Sequence, residues 1–294
     1  MNNISPFFSI IIPTYNHAHF IKKCLDSLLS QSYQNWEAII VNNFSEDTTI
    51  EIVESYEDSR IRLINNANNG IIAVSRNKGI AEAKGDWICF LDSDDWWYSN
   101  KLESILPFLN NYDFLYHNLD RYYDYNKPNG KMIGRELDED IVRDVLLRGN
   151  RISNSSVVIR KSIVDQVGYL SEDKELVAIE DADYWIRTGL VTNKFKLINI
   201  SLGGYWIGGG NLSYSIKHIQ KEENLLNKYI GYLKQEDKKE AFFRFYFSSA
   251  RKYHCFGMYK EANKEYLKSI KSKQLELKLK SFVGLFFSTI HFKM

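Results

Sequence analysis

Three carboxylates stand within four positions at the end of one apolar segment of the chain. Residues 90–95 read Phe-Leu-Asp-Ser-Asp-Asp, so Asp92, Asp94 and Asp95 repel one another. A hard divalent cation with oxygen ligands removes this repulsion. Mg²⁺ usually takes one or two protein carboxylates and completes its shell with water and substrate phosphates. The segment therefore predicts a metal–diphosphate site, with a solvated acidic turn as the alternative.

The composition is that of an ordinary globular protein. Of 294 residues, 44% are hydrophobic and 26% are charged. The net charge of +1 provides no general attraction for nucleic acid, so we expect no nucleic-acid partner. Cys24, Cys89 and Cys255 are widely spaced, unlike the pairs of disulfide frameworks and zinc sites. Because the sequence has no signal-peptide core and no apolar run of about 20 residues, we expect a cytoplasmic protein.

The first third of the chain alternates between strand and helix patterns. Buried-strand patterns occur at residues 8–12, 36–41, 60–65 and 87–91, with helical patterns between them at 19–31, 48–56 and 71–83. This alternation predicts an α/β fold with a mostly parallel sheet flanked by helices. Ligands of such sheets bind at the carboxyl ends of the strands, where loops 13–16, 42–47 and 92–95 fall.

The later part of the chain is first mixed and then helical. The pattern predicts helices at 99–112, 139–147 and 180–190, strands at 113–125, 157–160 and 195–200, a turn at 127–130 and a loop at 203–213. After residue 215, glycine and β-branched residues become rare and amphipathic helices are predicted. We therefore expect one α/β domain at residues 1–214 and a helical region at residues 215–294.

Seven short segments carry motifs in a fixed order. They read SIIIPTYN at 9–16, VNNFSED at 41–47, NG at 69–70, SRNKG at 75–79, AKGDW at 83–87, FLDSDD at 90–95 and EDADYWIR at 180–187. Together they resemble the family 2 glycosyltransferases of the GT-A fold, over roughly residues 7–213. The resemblance implies a GT-A nucleotide-diphospho-sugar transferase fold followed by a C-terminal α-helical appendage.

The same resemblance implies an activity. It is the transfer of a sugar, with inversion, from a nucleotide-sugar donor to a hydroxyl of a glycan or lipid-linked acceptor in bacterial surface polysaccharide biosynthesis. Mn²⁺ or Mg²⁺ is the implied cofactor. One alternative is a nucleotidyltransferase on a related fold, which would need a glycine-rich basic loop that residues 13–16 lack. The other is a degenerate nucleotide-sugar-binding protein without catalysis.

The resemblance also assigns residues to the metal. Asp94 is the first choice for the metal ligand, with Asp95 as the alternative ligand or as the N-cap of a following helix. It places Asp92 on the ribose or the metal, and Ser93 beside the nucleotide sugar. Arg76 is expected on the nucleotide or diphosphate, with an exposed helix-face charge as the alternative.

The nucleoside is expected between the first two strand-end loops. The resemblance places Pro13, Thr14 and Tyr15 against it. Asn43 stands at the position that faces the base in the family. The residue before it, Asn42, stands where the family usually has an aspartate. An asparagine offers both a donor and an acceptor, as uracil does, so we expect a UDP-sugar, with dTDP as the competitor. Ordinary turn chemistry is the alternative for both asparagines.

An inverting displacement needs a base that takes the proton of the acceptor hydroxyl. The resemblance assigns this role to Asp181, with Glu180 orienting the acceptor and Asp183 as a further candidate. The alternative is that these acids only complement the dipole at a helix N-terminus. The segment Asn154-Ser-Ser156 is expected in the acceptor half.

Two features outside the motifs carry weaker predictions. The lysine-containing apolar tail, residues 271–294, fits a helix on a membrane surface, and equally a helix packed on the domain or in a homodimer. His17, His19 and His117 lack metal-ligand spacing and are predicted to take no part in the site.

Overall fold

The computed structural model describes residues 5–208 and 215–292. Nine strands of the described chain form one sheet: β1 Phe8–Thr14, β2 Trp36–Asn42, β3 Ile61–Asn65, β4 Trp87–Phe90, β5 Trp96–Trp97, β6 Phe114–Asp124, β7 Lys127–Met132, β8 Val158–Arg160 and β9 Phe195–Trp206. Their order is β3-β2-β1-β4-β8-β6-β9-β5, and β7 pairs with β6. The first four strands pair in parallel, whereas β8 is antiparallel to both its neighbours.

Helices connect and follow these strands. They are α1 Ala18–Leu29, α2 Thr49–Glu54, α3 Ile72–Glu82, α4 Lys101–Ile105, α5 Ile141–Arg148, α6 Lys161–Val167, α7 Glu180–Gly189, α8 His218–Tyr229, α9 Gln235–Cys255, α10 Tyr259–Ser269 and α11 Leu275–Thr289. The predicted alternation of strand and helix up to residue 90 is therefore confirmed. So is the predicted fold, a mixed sheet flanked by helices and followed by C-terminal helices.

Burial explains why β1 and β2 lie inside the sheet, each between two neighbouring strands. Every residue of β1 and of β2 is buried, as expected for continuous apolar runs covered on both faces. Gly79 lets α3 approach β1 closely, because a Cβ there would lie 2.4 Å from Cγ2 of Ile11. This packing fixes the ends of the strands, and the loops that follow them, on a rigid frame.

Two predictions of turns and loops were wrong. The turn predicted at residues 127–130 is strand β7, because the hairpin turns earlier, at Tyr125 and Asn126. The loop predicted from residue 203 begins later, since β9 continues to Trp206. Gly204 permits this pairing, as a Cβ there would lie 2.3 Å from the Trp96 ring. The rest of that predicted glycine loop, residues 209–213, lies outside the described residues.

The helix predicted at residues 99–112 is shorter than expected. It is α-helical only over α4 and continues as one 3-10 turn at Leu106–Phe108, which contains Pro107. Proline lacks the N–H that an α-helix would use, so the longer helix is interrupted there.

The chain divides into two compact units. Unit 1 comprises residues 1–137, 151–172 and 187–210, and it contains the described strands. Unit 2 comprises residues 138–150, 173–186 and 211–294. It holds α5, α8 to α11 and the first part of α7, so two earlier segments join the C-terminal helices. The predicted division between residues 214 and 215 stays a prediction.

In the described part of the chain, no helix combines the length and the apolar character that a bilayer crossing requires.

Candidate active site

The acidic segment of unit 1 follows β4 directly. Oδ1 of Asp92 accepts hydrogen bonds from Nη2 of Arg76 at 2.8 Å and from Nδ2 of Asn154 at 3.0 Å. Arg76 is only 4% exposed, so it is not the solvent-facing helix charge that was its alternative. A charge-assisted bond from a buried guanidinium is strong and directional. Asp92 is therefore held in one position.

Asp95 is held by both of its carboxylate oxygens. Oδ2 accepts from the Ser155 hydroxyl at 2.5 Å, and Oδ1 accepts from the backbone N–H of Trp206 at 2.9 Å. The side chain is buried, and its alternative role as a helix N-cap is wrong, because α4 begins at Lys101. Asp95 therefore connects three separate segments of unit 1.

Asp94 differs from both neighbours. Within the described residues, its carboxylate has no hydrogen bond or ion pair with another side chain. Burial, and then the charge of Asp92, raise the pKa of Asp94 from 3.8 to about 7. The pKa of Asp95 is also raised, by burial first and then by the charges of Asp94 and Asp92. The segment thus contains more carboxylates than Arg76 can neutralise.

This donor set fits a divalent cation that also binds a substrate. The described residues include no group of three or more His, Cys, Asp or Glu side chains placed to hold a metal. Asp94 is an oxygen donor with no other side-chain partner, and Oδ1 of Asn154 is buried without a hydrogen-bond partner among the described residues. A cation that takes one or two protein oxygens and completes its shell with phosphate and water suits this arrangement.

Ser93 and His17 meet at the same place. Nδ1 of His17 lies 2.7 Å from the Ser93 hydroxyl, and the backbone N–H of His17 donates to Oγ1 of Thr49. Burial lowers the pKa of His17 although Asp92 and Asp47 oppose the shift. His17, which the sequence predicted to take no part in the site, therefore contacts one of the predicted site residues. Its place just after β1 was the available signal.

The first strand-end loop combines buried residues with one exposed aromatic residue. Pro13 and Thr14 are the last residues of β1 and are buried, whereas Tyr15 is 49% exposed. Oγ1 of Thr14 is buried without a hydrogen-bond partner among the described residues. A buried hydroxyl without a partner is unfavourable unless a ligand or water satisfies it. The loop therefore offers one unsatisfied polar atom beside one exposed aromatic ring.

The two asparagines after β2 have different environments. Asn42 organises its own turn, since its Oδ1 accepts from Ser45 Oγ at 2.6 Å and its Nδ2 donates to Asn65 at 2.7 Å. Oδ1 of Asn43 accepts from the backbone N–H of Asn68 at 2.9 Å. Turn chemistry thus explains Asn42. For Asn43, one of its two acceptor lone pairs is already used.

The segment 154–156, predicted for the acceptor half, instead contacts the acidic segment. Besides the contacts of Asn154 and Ser155 with the carboxylates, Oγ of Ser155 accepts from the backbone N–H of Asp92 at 3.1 Å. This corrects the prediction. The physical reason is that β8 pairs antiparallel with β4, which brings the residues just before β8 beside those just after β4.

The second acidic cluster belongs to unit 2 and opens α7. Glu180, Asp181 and Asp183 all lie in the first turn, where the helix dipole favours negative charge. Oδ1 of Asp181 accepts from the N–H of Ala182 at 2.7 Å. Asp183 is fully buried, and its Oδ1 accepts from Nζ of Lys228 at 2.6 Å and from the Tyr229 hydroxyl at 2.7 Å. Asp183 and Lys228 therefore form an ion pair with a structural role.

One face of α8 holds the backbone that leads into α7. His218 Nε2 lies 3.2 Å from the carbonyl oxygen of Ala178, and Nζ of Lys221 donates to the carbonyl of Val177 at 2.6 Å. Ala178 has φ of +69°, a conformation that is strained for a residue with a Cβ. The two bonds from α8 stabilise this strained turn, three residues before Asp181.

Asp181 also lines a cavity of about 320 Å³ within unit 2. Its walls are apolar side chains of α5, α8 and α9, among them Leu146, Leu225 and Phe245. His218 and Arg244 add polar groups to the lining. A mostly apolar cavity with a few polar groups is the usual form of a small-molecule site.

Comparison with known proteins identifies the family of this chain. The family model described as glycosyl transferase family 2 matches residues 9–168. An Escherichia coli relative is named UDP-Glc:alpha-D-GlcNAc-diphosphoundecaprenol beta-1,3-glucosyltransferase WfgD. It is 30% identical over 230 residues, which cover 76% of this chain and 86% of the relative.

Two solved structures share the fold. S. aureus TarS 1-349 in complex with UDP has a TM-score of 0.64 at 20% identity, over 97% of this chain and 88% of TarS 1-349. The Pyrobaculum calidifontis mannosyltransferase PcManGT, in complex with GDP-Man and Mn²⁺, has a TM-score of 0.60 at 14% identity, over 98% and 87%. The resemblance in the motifs is thereby confirmed. This chain belongs to glycosyl transferase family 2 and is a glycosyltransferase.

Proposed function

We propose that this protein is a metal-dependent inverting glycosyltransferase. It moves a sugar from a UDP-sugar to a hydroxyl of a glycan or lipid-linked acceptor in bacterial surface polysaccharide biosynthesis. One observation carries the proposal: Asp94 has no side-chain partner among the described residues, beside an Asp92 that Arg76 and Asn154 hold rigidly, at the carboxyl end of β4. Such a carboxylate is costly in the protein alone and favourable with a cation and a diphosphate.

On the donor side, each residue has a role that suits its environment. Asp94 contacts Mn²⁺ or Mg²⁺, and Asp92 and Ser93 contact the nucleotide sugar. Asp95 braces the segment, since both its oxygens are already bonded. Arg76 orients Asp92 and adds positive charge near the diphosphate. A bound divalent cation supplies Lewis-acid stabilisation for the departing diphosphate.

The nucleoside lies against the loop after β1. Tyr15 provides an exposed ring beside Pro13, and the buried Thr14 hydroxyl lacks a partner among the described residues. Asn43 faces the base with its two amide donors and one remaining acceptor lone pair. Donors suit the carbonyl oxygens of uracil, which supports UDP. The name of the Escherichia coli relative, a UDP-Glc enzyme, points the same way.

On the acceptor side, Asp181 acts as the base and Glu180 orients the acceptor. A carboxylate oxygen of Asp181 takes the proton of the acceptor hydroxyl while the hydroxyl oxygen forms a bond to the anomeric carbon. The bond from that carbon to the diphosphate breaks on the opposite face, and its electrons leave with the diphosphate. The configuration at the anomeric carbon therefore inverts.

The acceptor class is inferred from the relatives. The Escherichia coli relative is named for a sugar diphospholipid acceptor, and a glycan on such a lipid would present its hydroxyl at the surface of a membrane. We assign this protein to the cytoplasm, with peripheral contact at the membrane through residues 215–294. A homodimer through these helices is the competing arrangement.

The test is a donor screen followed by a transfer assay. Calorimetric titration with UDP, dTDP and GDP in the presence of Mn²⁺ ranks the nucleotides. UDP is expected to bind most tightly, and tighter binding of GDP would overturn the donor assignment. The matching UDP-sugars are then incubated with a diphospholipid-linked sugar. Product with inverted anomeric configuration is expected, and binding without any transfer would instead identify a non-catalytic nucleotide-sugar-binding protein.

A further inference from the structure

Helix α11 in unit 2 exposes large apolar side chains to solvent, unlike an ordinary surface helix. Six large apolar side chains at its outer face are 49–69% exposed: Leu275, Leu279, Phe282, Val283, Phe286 and Ile290. At 3.6 residues per turn they fall within an arc of about 100°. Surface helices normally turn such a stripe toward the core. A continuous exposed stripe of this kind marks an interaction surface.

The inner face of α11 explains why the stripe cannot turn inward. Four residues of that face are buried, Leu277 and the small residues Ser281, Gly284 and Ser288. Ser281 Oγ accepts from Ser269 Oγ of α10 at 2.8 Å. A Cβ at Gly284 would lie 2.4 Å from the ring of Tyr266, so the two helices are in close contact there. Rotation of α11 would place phenylalanine rings where only these small residues fit.

The charges around the stripe are positive. Lys271, Lys273, Lys278 and Lys280 are all exposed, against one acid in residues 271–280, Glu276. Glu276 pairs with Lys280. At 3.6 residues per turn, Lys278 and Lys280 lie on opposite flanks of the apolar stripe. Lysines at the two edges of an apolar face can extend toward anionic head groups while the face enters the acyl region.

We propose, on the basis of the membrane contact included in the proposed function, that α11 binds the surface of an anionic lipid bilayer, with its six-residue apolar stripe buried about 5–10 Å into the boundary between head groups and acyl chains. The competing occupant is a second copy of the chain. Stripe-to-stripe packing of two copies would bring the same lysine-rich edges together, and like charges across an interface oppose association. An anionic bilayer satisfies the apolar stripe and the lysines at once.

The test is vesicle flotation with the full chain. Wild type is mixed with vesicles of phosphatidylcholine alone or of phosphatidylcholine with phosphatidylglycerol, at low and high ionic strength. The double variant Phe282→Ser/Phe286→Ser removes apolar area from exposed positions, so the fold should be retained. Tyr232→Ser is the matched control, because Tyr232 is 62% exposed but lies outside α11. UDP-induced thermal stabilisation is measured on every variant.

Wild type and Tyr232→Ser are expected to float with the anionic vesicles, and less at high ionic strength. The double variant should bind them about tenfold more weakly or worse, while its response to UDP is unchanged. Equal flotation of the double variant and wild type would overturn the proposal, as would no flotation of wild type. A wild-type dimer that the double variant abolishes, without vesicle binding, would assign the stripe to a second copy. None of these results depends on catalysis.

Discussion

Each unit of the protein carries a cluster of three acidic side chains, and the two clusters differ in how far the fold neutralises them. In unit 2, Asp183 is buried and accepts hydrogen bonds from Lys228 and Tyr229. In unit 1, Asp94 has no side-chain partner in the described residues, and its pKa is raised to about 7. A carboxylate that the fold neutralises is structural. One that the fold leaves uncompensated is available to a ligand.

The sharpest way to test this contrast is to remove the uncompensated carboxylate. Asp94→Asn keeps the shape of the side chain but removes its charge, so the metal-bound diphosphate loses its anchor. We expect transfer to fall about 10⁴-fold, since several kcal/mol of transition-state stabilisation depend on the metal. Steady-state rates with a UDP-sugar and Mn²⁺ measure it. Asp124→Asn, an exposed acid on β6, is the control and should keep full activity.

Asp181→Asn should separate chemistry from binding. The amide cannot take the proton of the acceptor hydroxyl, so transfer should fall about 10³-fold. UDP and Mn²⁺ binding should be unchanged, because neither is assigned to Asp181. Single-turnover rates and calorimetry on the same preparation measure both. Near-normal turnover would remove Asp181 from the role of base.

Removal of the cation that neutralises Asp183 should reduce the stability of the protein rather than its catalytic rate. Lys228→Met leaves the buried Asp183 without its cationic partner, which should lower the free energy of unfolding by about 3 kcal/mol. Urea denaturation measures the change, and Lys217→Met at an exposed position next to α8 is the control. If Lys228→Met left stability unaltered, the ion pair would not be what neutralises Asp183.

The strained turn before α7 offers a smaller, more specific test. His218→Leu removes the bond to the Ala178 carbonyl, and we expect kcat to fall about tenfold as Asp181 becomes less precisely placed. His218→Gln can still donate to that carbonyl and should restore most of the rate. UDP affinity should be unchanged in both. A loss of thermal stability with an unchanged kcat would show that His218 supports only the fold.

Ionisation of Asp94 should destabilise the folded protein as the pH rises, whereas ionisation of a carboxylate with a lowered pKa would stabilise it. The folded-state pKa of about 7 lies above the ordinary value of 3.8, so the folded protein holds a proton that the unfolded chain has released. Between these two pH values the metal-free wild type loses stability as the pH rises. Asp94→Asn does not, so its melting temperature should exceed that of wild type by a few degrees at pH 7.5 and by less at pH 5. A constant difference would contradict the raised pKa.

Much of the fold follows from local pattern. The continuous apolar runs at residues 8–12 and 36–41 predicted the two fully buried strands β1 and β2, and the helical pattern at residues 71–83 predicted α3. Strand-end loops then indicated where the acids would gather. These features depend on residues near one another in sequence, which is why they could be predicted.

The partners of the acids could not be predicted in this way. Asn154 and Ser155 lie about sixty residues beyond the carboxylates they contact, and the contact depends on the antiparallel pairing of β8 with β4. Trp206 binds Asp95 through its backbone N–H, which no side-chain motif can reveal. The choice between Asp94 and Asp95 as ligand was open in the sequence for the same reason.

Calorimetric titration of UDP in the presence of Mn²⁺ into wild type, Asp94→Asn and Asp181→Asn tests most directly the division of labour between the two acidic clusters. Wild type and Asp181→Asn should bind with the same affinity, and Asp94→Asn should lose metal-dependent binding. If Asp94→Asn bound UDP and Mn²⁺ as tightly as wild type, the uncompensated carboxylate would not be the metal site.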